Sequence, residues 1–137
     1  MEIVDVNTLF GTWPRAKRDI SLKTLVNLMN RHHVMATCSL SARGIFYDFR
    51  EGNDETFAAC KDYPRIIPVA TLNFAAYLGW GEEVKRRLEE GFKLFRFFPS
   101  IQEWNITGLA FGKFLEVIAD YPEVVLFLPA SEGIANI

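Results

Sequence analysis

Apolar positions along this chain alternate between two periods. Short β-branched and aromatic runs at Glu2–Asn7, Val34–Ser39, Ile66–Asn73, Lys93–Phe98 and Val124–Leu128 predict five strands. The runs are nearly continuous in apolar residues, as when both faces of a parallel sheet are covered. Their starts lie about 30 residues apart, the length of one βαβ repeat. Between them the spacing becomes helical. Leu22, Leu25, Val26, Leu28 and Met29 fall at i, i+3, i+4 behind a capping Ser21. Asn53 is placed to cap a short helix with Asp54 and Glu55 in its first turn. Glu82–Glu90 reads as a charged helix closed by Gly91, and Phe111, Phe114, Leu115 and Ile118 as the apolar face of a helix ending near Tyr121-Pro122.

Two joints echo each other, K-D-Y-P-R-I-I-P at 61–68 and A-D-Y-P-E-V-V-L at 119–126. In each, a proline stops a helix and a β-branched pair starts the next strand. Longer connections follow the second strand (Leu40 to Gly52) and the fourth (Pro99 to Thr107), the strand ends at which α/β folds place ligands. The pattern suits either a curled (β/α) barrel segment or a flat doubly wound sheet such as a flavodoxin-like domain. A full barrel normally takes about 250 residues.

Composition narrows the classes. At 137 residues the chain reads as one domain, half of its residues are apolar, and its 12 phenylalanines point to a core of large rings. A net charge of -2 gives no electrostatic case for nucleic acid or an anionic membrane. No apolar run approaches the roughly 18 residues of a membrane span. The first residues enter a strand without the basic and apolar regions of a signal peptide, and Cys38 and Cys60 show no C-x-x-C spacing. Reduced thiols in a cytoplasmic protein are the expectation.

The opening run I-V-D-V-N-T-L-F-G, residues 3–11, resembles the first strand of the amidohydrolase-related enzymes, I-[IV]-D-x-H-x-H-x-G. G-T-W-P-R at 11–15, R-I-I-P-V-A-T-L-N at 65–73, L-E-E-G-F-K-L-F-R-F-F-P-S at 88–100 and V-V-L-F-L-P-A-S at 124–131 are similar to later segments of the same family, in order and at the right spacing. The resemblance implies a single partial TIM-type (β/α) barrel domain over residues 1–137: five parallel strands with intervening helices, the remaining units lying beyond Ile137. It also implies a hydrolase or decarboxylase of small organic acids, amides or lactones, with a divalent metal such as zinc. The family's metal-binding histidines do not recur. Their first-strand positions hold Asn7 and Leu9, and the fifth-strand position falls on or near Leu128. Asn7 can offer oxygen to a hard cation but is a poor zinc ligand, and leucine ligates nothing. No metal or other cofactor is therefore supported by these residues. A non-catalytic binding module that keeps the fold is the alternative.

Candidate chemistry lies elsewhere. His32-His33 precedes the second strand, on the end opposite the expected pocket, and reads as structural or solvated. Asp5, inside the first strand, must be paired or hydrogen-bonded if buried; the family resemblance implies a structural carboxylate satisfied by backbone amides of a neighbouring loop, with general acid or base as the alternative. Arg96, alternating with Phe95, Phe97 and Phe98, either offers a fixed guanidinium to a substrate carboxylate or pairs with a structural one. Asn7, Thr8, Ser39, Ser41, Asn73 and Ser100 fall at or just past strand ends. With Trp13, Tyr47, Trp104 and Arg96 they are the expected small-molecule site. The alternating charges from Glu82 to Glu90 read as a solvated helix face. No G-x-S-x-G elbow, G-x-G-x-x-G or P-loop occurs. An open half-barrel would leave unpaired strand edges, so self-association through them is expected.

Overall fold

The computed structural model describes residues 1–15, 17–76 and 78–130. Its elements run β1 (Ile3–Phe10), α1 (Leu22–Arg31), β2 (Val34–Ser41), α2 (Arg43–Phe46), α3 (Phe49–Asp62), β3 (Ile66–Ala70), α4 (Trp80–Glu89), β4 (Leu94–Arg96), α5 (Pro99–Gln102), α6 (Leu109–Ile118) and β5 (Val125–Phe127). All four strand pairings are parallel, in the order β1-β2-β3-β4-β5, and the sheet curls into a half-barrel. Sequential order excludes the flavodoxin-like alternative, whose sheet runs 2-1-3-4-5. It is the order produced when each right-handed βαβ crossover adds its strand on the same side as the last.

Local chemistry explains most helix ends. The Ser21 hydroxyl accepts from the Thr24 amide at 3.2 Å and starts α1 as expected. Gly91, at φ +95°, lies one residue past the α4 cap in the left-handed region that glycine enters without strain. The helix expected to start at Asn53 begins earlier. The Asp48 carboxylate accepts from the amides of Arg50 and Glu51 at 2.8 and 3.1 Å, so α3 starts at Phe49 and Asn53 is an interior, fully buried residue. Much of the expected connection after the second strand is ordered too, as the last residues of β2 and the short helix α2. That helix lies so close to α3 that a Cβ on Gly52 would sit 2.2 Å from the Gly44 nitrogen.

Two apolar layers follow from strand alternation. On the helix side, Phe74, Phe95, Phe97, Phe111 and Phe114 form one cluster with Leu72, Val84 and Phe92. Its rings meet mostly edge to face, as between Phe97 and Phe111, with centroids 5.4 Å apart at 82°. The concave side carries a smaller cluster of Cys38, Leu40, Val69 and Phe98 under Ile45 of α2. The Gln102 side-chain amide of α5 donates to the Ile45 carbonyl at 3.2 Å and ties the two short helices together over that cluster.

The charges of α4 form a solvated face only in part: Glu82, Lys85, Arg86 and Glu89 are exposed as expected, whereas Glu83 and Arg87 face inward. Arg87 is fully buried, and its guanidinium donates to Glu83 at 2.6 Å, Glu90 at 2.7 Å and Asp54 of α3 at 2.6 Å. Glu83, also buried, accepts from the Asn53 amide at 2.9 Å. Asn53 in turn makes a two-way bond with the Thr71 backbone, donating to its carbonyl and accepting from its amide, each at 2.9 Å. One polar chain thus runs from α4 through α3 to the end of β3. Burial opposes the Arg87 charge, but the bonds to Asp54 and Glu83 outweigh it and hold the guanidinium pKa above its ordinary value.

Both cysteines are free thiols. Burial pushes the Cys60 thiol up to about 12 from an ordinary 9.0. Thiolate is the reactive form, so Cys60 at pH 8 is expected to react with a thiol reagent about a thousandfold more slowly in the folded chain than in urea. The sign for stability follows: the folded state keeps the proton that the unfolded chain releases. Stability contributed by Cys60 is complete below pH 9 and is lost as pH rises toward 12. Alkylation rates against pH, read by mass spectrometry, check both statements.

Candidate functional site

Three clefts lie at the C-terminal ends of the strands, where α/β folds collect chemistry. The first, about 220 Å³, is lined by Gly11, Thr12, Arg43, Tyr47 and Glu55. The second, about 320 Å³, is lined by Val6 and Asn7 of β1, Arg96, Phe97 and Phe98 at the end of β4, and Phe127, Leu128 and Pro129 at the end of β5. The third, about 360 Å³, lies beside Gly44, Tyr47, Asp48, Arg50, Asn73 and Leu78.

The second cleft has the most distinctive electrostatics. Phe95 packs on α6 with its ring 5.7 Å from that of Phe114, so alternation turns Arg96 to the concave side. Its guanidinium stands over the Phe98 ring, 4.9 Å from the centroid, and forms no ion pair with any described carboxylate. Burial alone moves its pKa, downward from the ordinary 12.5. An arginine stays charged under such a shift. The cleft therefore holds a partly desolvated cation on an aromatic face with open space beside it. Of the two roles anticipated for Arg96, pairing with a structural carboxylate is not what the described residues show.

The other expected site residues separate. Asn7 shares the Arg96 cleft. Asn73 lines the third cleft, its side chain accepting from the Ala75 amide at 2.9 Å. The Ser41 hydroxyl donates to Glu55 at 2.6 Å beside the first cleft. The Thr8 hydroxyl lies 2.8 Å from that of Thr37 and donates to the Cys38 carbonyl, so it joins β1 to β2. Ser39 is fully buried, with no hydrogen-bond partner for its hydroxyl among the described residues. Trp13 stacks edge-on against Phe46 at 4.7 Å, and Ser100 is an exposed residue of α5. Trp104 belongs to the helix-side aromatic cluster, and Tyr47 stands between the first and third clefts. The three aromatics expected to line one pocket therefore do not meet.

Asp5 corrects a second expectation. It is exposed, and its carboxylate accepts at 3.0 Å from the amide of Asn7 on its own strand, not from a neighbouring loop. The reason is position: among the described residues β1 pairs with β2 alone, and no second neighbouring strand covers the group. His32 and His33 are exposed at the end of α1. Leu128 packs against the helix-side cluster and also borders the concave cleft between Phe127 and Pro129. Sequence reasoning missed Phe127, Arg43 and Glu55. Arg43 was recoverable as the first charged residue after the second strand, but Glu55, fourteen residues from Ser41, had no local signal.

The metal that the family resemblance implies would need a converging set of donors. Among the described residues no three His, Cys, Asp or Glu side chains converge. Among the described lining residues, the Asn7 amide oxygen stands between apolar side chains and the Arg96 cation, which does not fit a transition-metal centre. No described helix is long and apolar enough to cross a membrane.

No protein-family model and no curated protein matches the chain. Among solved structures it is similar in fold to a probable 2-pyrone-4,6-dicarboxylic acid hydrolase from Acinetobacter baumannii, crystallised with citric acid bound. The TM-score is 0.61 at 14% identity, over 96% of this chain and 51% of that one. The chain thus spans about half the length of this solved neighbour, and what the two share is the curled β/α scaffold.

Proposed function

We propose that this chain forms the carboxylate-binding part of an amidohydrolase-like barrel acting on a small organic acid. The observation that carries the reading is Arg96, a partly buried guanidinium in the concave cleft with no carboxylate partner among the described residues. In this reading Arg96 takes a substrate carboxylate in a bidentate, charge-assisted pair. Asn7 orients a second polar group, and Phe98 and Phe127 exclude water and raise the strength of the ion pair. The likeness to a hydrolase solved with citric acid supports the substrate class. Hydrolysis also needs an activated water, and none of the described residues lining the cleft is a general base. That favours the second reading, a non-catalytic carboxylate-binding module on the same scaffold.

Calorimetric titration with citrate tests the shared step. Arg96→Gln is expected to weaken citrate binding by about 10- to 100-fold, the loss of one charge-assisted contact, with Arg96→Lys intermediate. Equal affinity in the wild type and Arg96→Gln would exclude this cleft. Lactone hydrolysis by the same preparation, abolished in Arg96→Gln, separates enzyme from binding module.

A further inference from the structure

Arg96 does not stand alone in the second cleft. Two residues apart at the end of β4, Arg96 and Phe98 take the same side of the sheet. The guanidinium lies over the Phe98 ring, 4.9 Å from the centroid. Phe98 is 8% exposed and packs with Cys38, Leu40, Val69 and Ile45 of α2. Its backbone is fixed as well. The Phe98 carbonyl accepts from the amides of Ile101 and Gln102 at 3.1 and 3.0 Å, and Pro99 supplies a preset φ for the first residue of α5. Gln102 then holds α5 from behind. Its side-chain nitrogen donates to the Ile45 carbonyl at 3.2 Å, and its side-chain oxygen accepts from Trp104 Nε1 at 2.9 Å. Both ends of this buried amide have partners, so turning it would leave polar atoms unpaired. The ring thus belongs to the packed part of the cleft, and the cation to the part open to a ligand.

We propose that Phe98 is the positioning residue of the Arg96 site, a ring that holds the guanidinium in place before a carboxylate arrives. The inference rests on the reading of Arg96 as the carboxylate ligand and adds how that arginine is readied. An unrestrained arginine side chain samples many rotamers, and ordering it on binding costs affinity. A cation over an aromatic face is attracted to the ring, more strongly where water is excluded. That attraction acts before binding, so the side chain is ordered by the fold and not at the expense of the ligand. The ring also covers one side of the cation, leaving the side toward the open cleft for a charge-assisted pair. Leucine fills most of the same volume but has no π face to hold a guanidinium.

Side-chain nitrogen relaxation at Arg96 Nε and calorimetric titration with citrate, both on the 137-residue chain, test the role. In the unliganded wild type the Nε order parameter is expected at about 0.85, the value of rigid groups, and unchanged by citrate. Phe98→Leu is expected to lower it below about 0.6 and to weaken citrate binding about three- to tenfold, with circular dichroism unchanged. Phe98→Tyr keeps the ring and is expected to restore both values. A residue that only filled the core would lower stability on truncation and leave Arg96 ordered. If Phe98→Leu loses its fold, the wild type decides: an Arg96 ordered without citrate supports the proposal, and one mobile until citrate binds overturns it. Wild-type affinity in Phe98→Leu, or an equal loss in Phe98→Tyr, overturns it and leaves Arg96 as the ligand. Failure of the wild type to bind citrate removes the Arg96 reading, and this role with it.

Discussion

Replacing Arg87 by methionine is expected to lower the free energy of unfolding by about 3–5 kcal/mol, a large share of a domain's total. The size comes from what is left behind. Glu83 is 3% exposed and would be left, among the described residues, with the Asn53 amide as its partner. Removing one member of a buried pair costs the desolvation of the other, which the lost attraction had offset. Asp54 and Glu90 lose a partner as well, but both reach water and can be resolvated. Arg86→Met is the control. Arg86 binds Asp54 and Glu90 from the surface at 53% side-chain exposure, and its loss is expected to stay within about 1 kcal/mol. Urea unfolding of the two variants, compared at equal slope, measures the difference. A similar small effect for both would mean that the Glu83 site admits water. Because Asn53 links Glu83 to the Thr71 backbone, faster amide exchange at Thr71 is expected in Arg87→Met but not in Arg86→Met.

Phe114→Ala is expected to cost a comparable 3–5 kcal/mol. Phe114 is fully buried and its ring lies within 6.5 Å, centroid to centroid, of five others: Phe74, Trp80, Phe95, Phe97 and Phe111. It fastens α6 to the outer face of β4. Truncation removes its transfer energy and leaves a cavity whose walls are rigid rings that cannot collapse inward. Phe114→Leu keeps much of the volume and is expected to cost less than half as much. Thermal unfolding followed by near-ultraviolet circular dichroism reads both stability and loss of ring packing. A cost for Phe114→Ala below about 1 kcal/mol would contradict the packing.

How much of the site could be read beforehand depended on sequence distance. Strand ends are marked locally by the change of hydrophobic period, so the placement of Asn7, Asn73 and Arg96 near the C-terminal face needed no tertiary information. Which of them share a cleft did. Asn7 and Arg96 are 89 positions apart and meet only because the sheet curls, whereas Thr8, the next residue, turns toward β2 and is spent on a strand contact. The same limit hid the polar chain in α4. Glu83 and Arg87 have the i, i+4 spacing of an exposed ion pair, and nothing in that spacing distinguishes a face under water from one under α3.

The sequence by itself determined the alternation of strand and helix, the Ser21 cap and the glycine stop at Gly91. Each depends on a few neighbouring residues and on backbone sterics or hydrogen bonding that act over one turn. Tertiary structure alone decided that the sheet curls in sequential order, that Asp48 and not Asn53 starts α3, that Asp5 faces water, and that Arg96 has no carboxylate partner among the described residues. Those outcomes depend on which groups lie across the sheet from one another, and a buried charge or an open edge is defined only by what stands opposite it.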